Sequence, residues 1–222
     1  MLDQFNTTAP RFYAACLASY NNGELHGVWI DASADTDDMA APIAAMLRAS
    51  RFPNVTVQCV DCDGHGIAAG AAFADSTPCP TCKGFGSVAS AEEWAIHDRE
   101  GLGDIGEYAG LDGIAARIEL IDLADEIGLP AAVAMEFASD RRTGDELTGD
   151  ELKDALQDAY VGSAESWKDF VQEQVEATHD MTSVPDWLEY HIDWDSMARD
   201  WEVSGDYNAY RDGGDLYFFT SH

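Results

Sequence analysis

The first ordered signal in the chain is an apolar and aromatic run over residues 11–20, which reads as a buried strand. Asn21, Asn22 and Gly23 form a turn signal, and residues 25–32 read as the returning strand. Asp35, Asp37 and Asp38 then introduce a helix that carries Met39, Ile43, Met46 and Leu47 on one side. Pro42 falls close enough to its start to be tolerated. Residues 55–59 suggest a short strand, and residues 92–98 a further strand of the first sheet. From Leu111 the period changes to helical, with Leu111, Ile114, Ile118 and Ile121 on one side and Gly128 and Pro130 as the stop. Short helices are predicted over 130–138 and 151–159. Two TGDEL repeats lie between them and read as loop and helix entry, with Thr148 as a possible cap. Residues 163–177 predict another helix, capped by Ser163, with Trp167, Phe170, Val171 and Val175 facing inward. Residues 195–203 predict the last helix and 215–221 a closing strand. The pattern is that of an α+β protein.

Charge changes the picture. The 222 residues hold 42 Asp and Glu against 12 Lys and Arg, a net charge of −30, yet 46% are hydrophobic, enough to bury a core. Phosphates are repelled by such a chain, so nucleic acid is excluded as the main ligand, and anionic membrane surfaces are disfavoured. No segment approaches the roughly 18 apolar residues of a membrane span. The N-terminus lacks a basic stretch followed by an apolar one, so a cytoplasmic location is expected. Residues 1–89 hold 9 acidic and 4 basic residues, and residues 90–222 hold 33 and 8.

Part of that charge sits at helical spacing. Glu119, Asp122 and Glu126 fall at i, i+3, i+7; Asp150, Asp154 and Asp158 fall at i, i+4, i+8, as do Glu165, Asp169 and Glu173. Residues three or four apart on a helix have Cβ atoms about 5–6 Å apart, comparable to successive phosphates on a nucleic-acid strand. Each like-charged pair costs a helix roughly 0.2–0.5 kcal/mol. Only three lysines (Lys83, Lys153, Lys168) are present to relieve it. Three readings stay open on charge alone: solubility or salt adaptation, imitation of DNA, and binding of cations or a basic protein.

Cys59, Cys62, Cys79 and Cys82 form two CxxC pairs with 16 residues between them, a four-cysteine zinc spacing. One structural zinc per chain is expected, since four cysteines leave no open position for catalysis. His65 lies between two glycines as a substitute ligand or, more simply, a surface side chain. Cys16 reads as a small core residue. Each second cysteine is followed by x-Gly-x-Gly, in CDGHG and CKGFG. This repeat resembles the zinc knuckles of DnaJ-type chaperones over about residues 57–86. A zinc-knuckle module for protein interaction is therefore an alternative function.

No catalytic constellation emerges. P-loop, HExxH and GxSxG motifs are absent, as is a DxDxDG calcium loop. His97 and Asp98 are adjacent in a strand and so point to opposite faces. The expectation is a protein that is not an enzyme.

Three long segments carry a family resemblance: YNNGELHGVWIDA (20–32), EEWAIHDREG (92–101) and VPDWLEYHIDWDSMARDWEVSGDY (184–207). They resemble the ArdA antirestriction family, in order and character, over about residues 11–51 and 90–222. The resemblance implies a DNA mimic that binds type I restriction–modification enzymes at the methyltransferase core and occupies the DNA-binding groove. It also implies carriage by mobile genetic elements, a homodimer, and an elongated chain of three small domains. These are a mixed α/β domain over 1–110, a helical one over 111–154 and a mixed α/β one over 155–222. The cysteine segment, about 52–89, reads as an insertion in the first, and Arg99 stands where the family usually has an aromatic. The second reading is an acidic mimic aimed at another basic DNA-binding protein.

Overall fold

The first strand, β1 (Arg11–Cys16), buries Phe12, Ala14 and Cys16 at alternate positions and Ala15 besides. In the computed structural model, which describes residues 9–68, 77–140, 150–185, 188 and 190–221, this strand is the centre of an antiparallel sheet. The apolar run does not stay extended to residue 20, as its composition suggested. It turns at Leu17 into a short helix, α1 (Leu17–Asn21). The Leu17 N–H donates to the carbonyl of Glu93, and the Asn22 side chain caps the helix by donating to the Ala18 carbonyl at 2.8 Å.

Strand β2 (Gly27–Asp31) returns along one edge of β1, from Ala15↔Gly27 to Arg11↔Asp31. Helix α2 (Thr36–Arg48) follows, and the Asp35 carboxylate accepts the Asp37 N–H as its cap. Its stripe of Met39, Ile43, Met46 and Leu47 is buried as predicted. Strands β3 (Val55–Gln58) and β4 (Ser87–Ser90) pair only with each other and frame the cysteine segment. Strand β5 (Trp94–Glu100) then pairs with the other edge of β1, as expected, giving the order β2-β1-β5.

The chain divides into two compact units, Met1–Ile118 and Glu119–His222. The division falls inside α3 (Gly110–Glu126). Leu129 donates its N–H to the Ala124 carbonyl at 2.7 Å, and Gly128, at φ +74°, donates to Asp125. This closes the helix at the predicted glycine. Of the predicted apolar side, Ile114 and Ile118 are buried, and Leu111 and Ile121 are half-buried.

The second unit continues with α4 (Ala131–Asp140) and α5 (Asp150–Ala159). Next come β6 (Tyr160–Ala164), α6 (Trp167–Thr178), α7 (Trp194–Ser204), β7 (Tyr207–Asp212) and β8 (Asp215–Thr220). Thr148 and most of the TGDEL pair lie outside the described residues. The sheet order is β6-β8-β7, all antiparallel. Strand β8 is covered on both faces. Phe219 joins Leu120, Leu123, Val133, Phe137 and Leu156, while Leu216 and Phe218 join Phe170, Val171 and Ala198. That double cover explains the unbroken LYFF run. Residues 160–164 form a strand where the sequence suggested only a connection. The α6 cap is therefore Ser166, not Ser163: Ser163 is paired with Tyr217 in the sheet.

Candidate metal centre and acidic faces

The β3–β4 ladder runs from Val55↔Ser90 to Gln58↔Ser87 and continues one step, with the Cys59 N–H donating to the Gly86 carbonyl at 2.9 Å. Both strands then fold back on themselves. In the first knuckle the N–H of Gly64 reaches the Cys59 carbonyl, that of His65 the Cys62 carbonyl, and that of Gly66 the Cys62 Sγ at 3.2 Å. The second knuckle nearly copies it. Lys83 N–H donates to the Cys79 carbonyl, Phe85 N–H to the Cys82 carbonyl, and Gly86 N–H to the Cys82 Sγ at 3.2 Å. The two are related by an approximate twofold. Asp61 and Thr81, at equivalent positions, meet across it in a hydrogen bond.

The x-Gly-x-Gly spacing follows from this packing. Gly64, Gly66, Gly84 and Gly86 all have positive φ. A Cβ on Gly66 would also overlap the Gly84 carbonyl oxygen, and one on Gly86 the Gly64 carbonyl oxygen. The knuckles approach that closely because their thiols converge. All four Sγ atoms lie within 4.8 Å of one another. Cys59 and Cys79 are 3.9 Å apart, Cys62 and Cys82 3.6 Å, and all four residues are buried.

Such thiols cannot all ionise without a cation between them. Burial pushes the Cys62 thiol up to about 12 and raises Cys59 as well. At Cys82 burial acts the same way but is overcome by the N–H groups of Gly86 and Gly84 and by the neighbouring thiols, which bring it down to about 7. The cluster can hold a metal ion, and the predicted ligands Cys59, Cys62, Cys79 and Cys82 are the residues brought together. Among the described residues no other group of three or more His, Cys, Asp or Glu is so placed. His65 is exposed, a surface side chain. Cys16 is a core residue whose Sγ contacts the Ser50 hydroxyl at 3.5 Å.

The predicted carboxylates fall on three elements of the second unit. On α3, Asp122 and Glu126 are exposed, whereas Glu119 is half-buried and lies 3.5 Å from the Lys153 ammonium. On α5, Asp150, Asp154 and Asp158 are all exposed, opposite the buried Leu156, and Asp150 lies 3.9 Å from Lys153. Near α6 the predicted row is broken. Glu165 is exposed but precedes the helix, because the chain is still leaving β6 there. Asp169 is exposed and engaged with the cap: its N–H donates to the Ser166 hydroxyl at 3.2 Å, which donates to its carboxylate at 2.5 Å. The helical row is Asp169, Glu173 and Glu176, the last overlooked although it stands three residues beyond Glu173. Asp195 and Glu202 on α7, seven apart and exposed, were also overlooked; Asp195 pairs with Lys168 at 3.1 Å.

The second unit contains 26 acidic and 6 basic residues, net −20, against 16 and 6, net −10, in the first. His97, set aside as a catalytic residue, has its Nε2 3.6 Å from the Glu107 carboxylate and its ring edge-on to Tyr20. Asp98 accepts the Arg99 N–H.

The family model for antirestriction protein (ArdA) matches residues 12–215. The chain belongs to the ArdA family. The match extends across the cysteine segment and both compact units, so ArdA membership is a property of nearly the whole chain and supports an antirestriction function. No curated protein matches it.

Proposed function

We propose that the chain is a DNA mimic that inhibits type I restriction–modification enzymes by occupying their DNA-binding groove. The observation that carries this is the ArdA match over residues 12–215. The exposed carboxylates of α3, α5 and α6 supply a physical means. Duplex DNA carries one charge per about 1.7 Å of axis, so thirty charges would correspond to about 50 Å of duplex. A basic groove that accepts the chain would release counterions as it does on binding DNA. The protein then acts stoichiometrically, as an inhibitor and not as an enzyme, in the cytoplasm where incoming DNA is cut. The reading includes the family's elongated homodimer of three small domains divided near residues 110 and 154. Among the described residues no helix is long and apolar enough to cross a membrane.

The metal in this reading is one structural zinc. A tetrahedron with Zn–S bonds of about 2.3 Å has sulfur–sulfur edges of about 3.8 Å. The 3.9 and 3.6 Å separations across the knuckles bracket that edge. When bound, the ion supplies charge neutralisation and a fixed geometry. The chain's own residues hold it with four thiolates, two of which receive the Gly66 and Gly86 N–H groups.

The test is competition. Purified protein should displace DNA from a type I methyltransferase core at low salt, and inhibition should weaken steeply as salt rises. DNA binding that is untouched at low salt would overturn the reading.

A further inference from the structure

The four cysteines form a buried cluster of their own, with only the half-buried Val88 packed against it. Between residues 55 and 90 the other buried described residues are Gly66, Gly86 and Ser90, none of which offers an apolar side chain. Elsewhere the chain has real cores: Phe12, Met39, Leu102 and Ile114 are fully buried in the first unit, and Phe137, Phe170, Phe218 and Phe219 in the second.

The segment is one interrupted ribbon. The register that pairs Val55 with Ser90 also pairs Cys59 with Gly86. It resumes past the knuckles, where Cys79 N–H donates to the Gly66 carbonyl at 2.8 Å, Ile67 bridges Pro78 and Ala68 N–H donates to Thr77. An isolated two-stranded ribbon is marginal in water at best, and the valines of this one, Val55, Val57 and Val88, are only half-buried. The strand pairs on either side of the knuckles are joined through the thiol cluster.

We propose that the described residues 55–68 and 77–90 are a metal-conditional lobe: the bound ion is its core, and the lobe orders and melts with the ion while the other described parts of the chain stay folded. The proposal rests on the zinc reading above and not on DNA mimicry. Small sites whose ligands are not preassembled in the unfolded chain gain most of their folding free energy from the metal. The carboxylates of α3, α5 and α6 belong to the other unit, with its own apolar clusters. The chain therefore has two parts that can be switched separately. The acidic faces are constitutive. The lobe, with exposed Val60 and Phe85 next in sequence to the paired Cys59 and Gly86, is presented only when metal is bound.

Hydrogen exchange on the full-length chain tests this. The zinc-loaded protein is compared with the same protein after chelation, with metal content measured in parallel. Removal of one zinc should lower protection of the Cys59 and Cys79 amides by about 100-fold or more, with less than about threefold change in β1, α4 and β8. Zinc added back should restore protection, and Co²⁺ should restore it with the ligand-field bands of a tetrahedral tetrathiolate. Protection that survives chelation, or global unfolding on chelation, overturns the lobe while the zinc site stands. A chain that carries no metal and takes up neither zinc nor Co²⁺ overturns both.

Discussion

Single residues carry the sharpest constraints. Gly86 has φ +72° and no room for a Cβ against the Gly64 carbonyl oxygen. Gly86→Ala should weaken metal binding by about tenfold or more, since left-handed strain alone costs about 1–2 kcal/mol; competition with a chromophoric chelator measures it. Metal binding should also depend on pH with a definite sign. The ligands bind as thiolates, and burial holds the Cys62 thiol near 12, so loading must expel protons and occupancy must fall as pH falls. An affinity that does not change between about pH 6 and 8 would contradict the thiolate site. The Arg11–Glu100 pair joins β1 to β5 through two hydrogen bonds of 2.7 and 3.0 Å. The hydrogen bond from Arg11 depresses the Glu100 carboxyl below its ordinary 4.5. A depressed carboxylate stabilises the fold above its unfolded value and loses that contribution as pH drops through the lowered folded value. Acid unfolding of Glu100→Gln should therefore show less pH dependence below 4.5 than the parent, as followed by tryptophan fluorescence.

At the scale of elements, like charges along a helix oppose folding. On α5 the rows Asp150, Asp154 and Asp158 give two i, i+4 repulsions, each worth roughly 0.2–0.5 kcal/mol, with Lys153 the basic residue within the helix. The triple change Asp150→Asn, Asp154→Asn, Asp158→Asn should leave the melting temperature unchanged or slightly raised while weakening inhibition several-fold. If inhibition is unaffected, this face does not bear on the groove. The cap of α6 works in the opposite direction. Ser166 accepts the Asp169 N–H, and Ser166→Ala should cost about 1 kcal/mol, a small fall in melting temperature. Asp169 is thus both a surface charge and part of the cap, so its replacement alone would mix two effects.

For the whole molecule, charge and cores are distributed unequally. The second unit carries net −20 over two apolar clusters that sandwich one sheet. Folding energy there comes from Phe, Trp and Tyr burial, including Phe170 stacked on Phe218 with centroids 3.8 Å apart. Self-repulsion is tolerated because that burial is local to each cluster. Added salt should therefore do two opposite things. It should raise thermal stability by screening the repulsion and reduce affinity for a basic groove by the same screening. Thermal melts and inhibition assays across one salt series should diverge; a parallel fall in both would point to salt-induced unfolding.

The cysteine spacing and its glycines, the α2 stripe, the helix start at Asp35–Asp38, the stop at Gly128 and the acidic excess were all legible in the sequence. Each is a local matter of period, turn geometry or ligand chemistry. The ArdA-like segments were legible because they are long. Other features were fixed only by distant partners. Residues 17–21 turn into a helix after a last bond to the neighbouring strand, from the Leu17 N–H to the Glu93 carbonyl, a change that the apolar run itself does not mark. Residues 160–164 become a strand because β8 lies alongside, which shifts the α6 cap to Ser166 and removes Glu165 from the helical row. Which carboxylates stand free and which, like Glu119 beside Lys153, are partly neutralised is likewise set across 34 positions of sequence. Spacing can say that four thiols are able to meet; only the folded ribbon brings Cys59 to Cys79 and Cys62 to Cys82, since contact between segments is a property of tertiary structure.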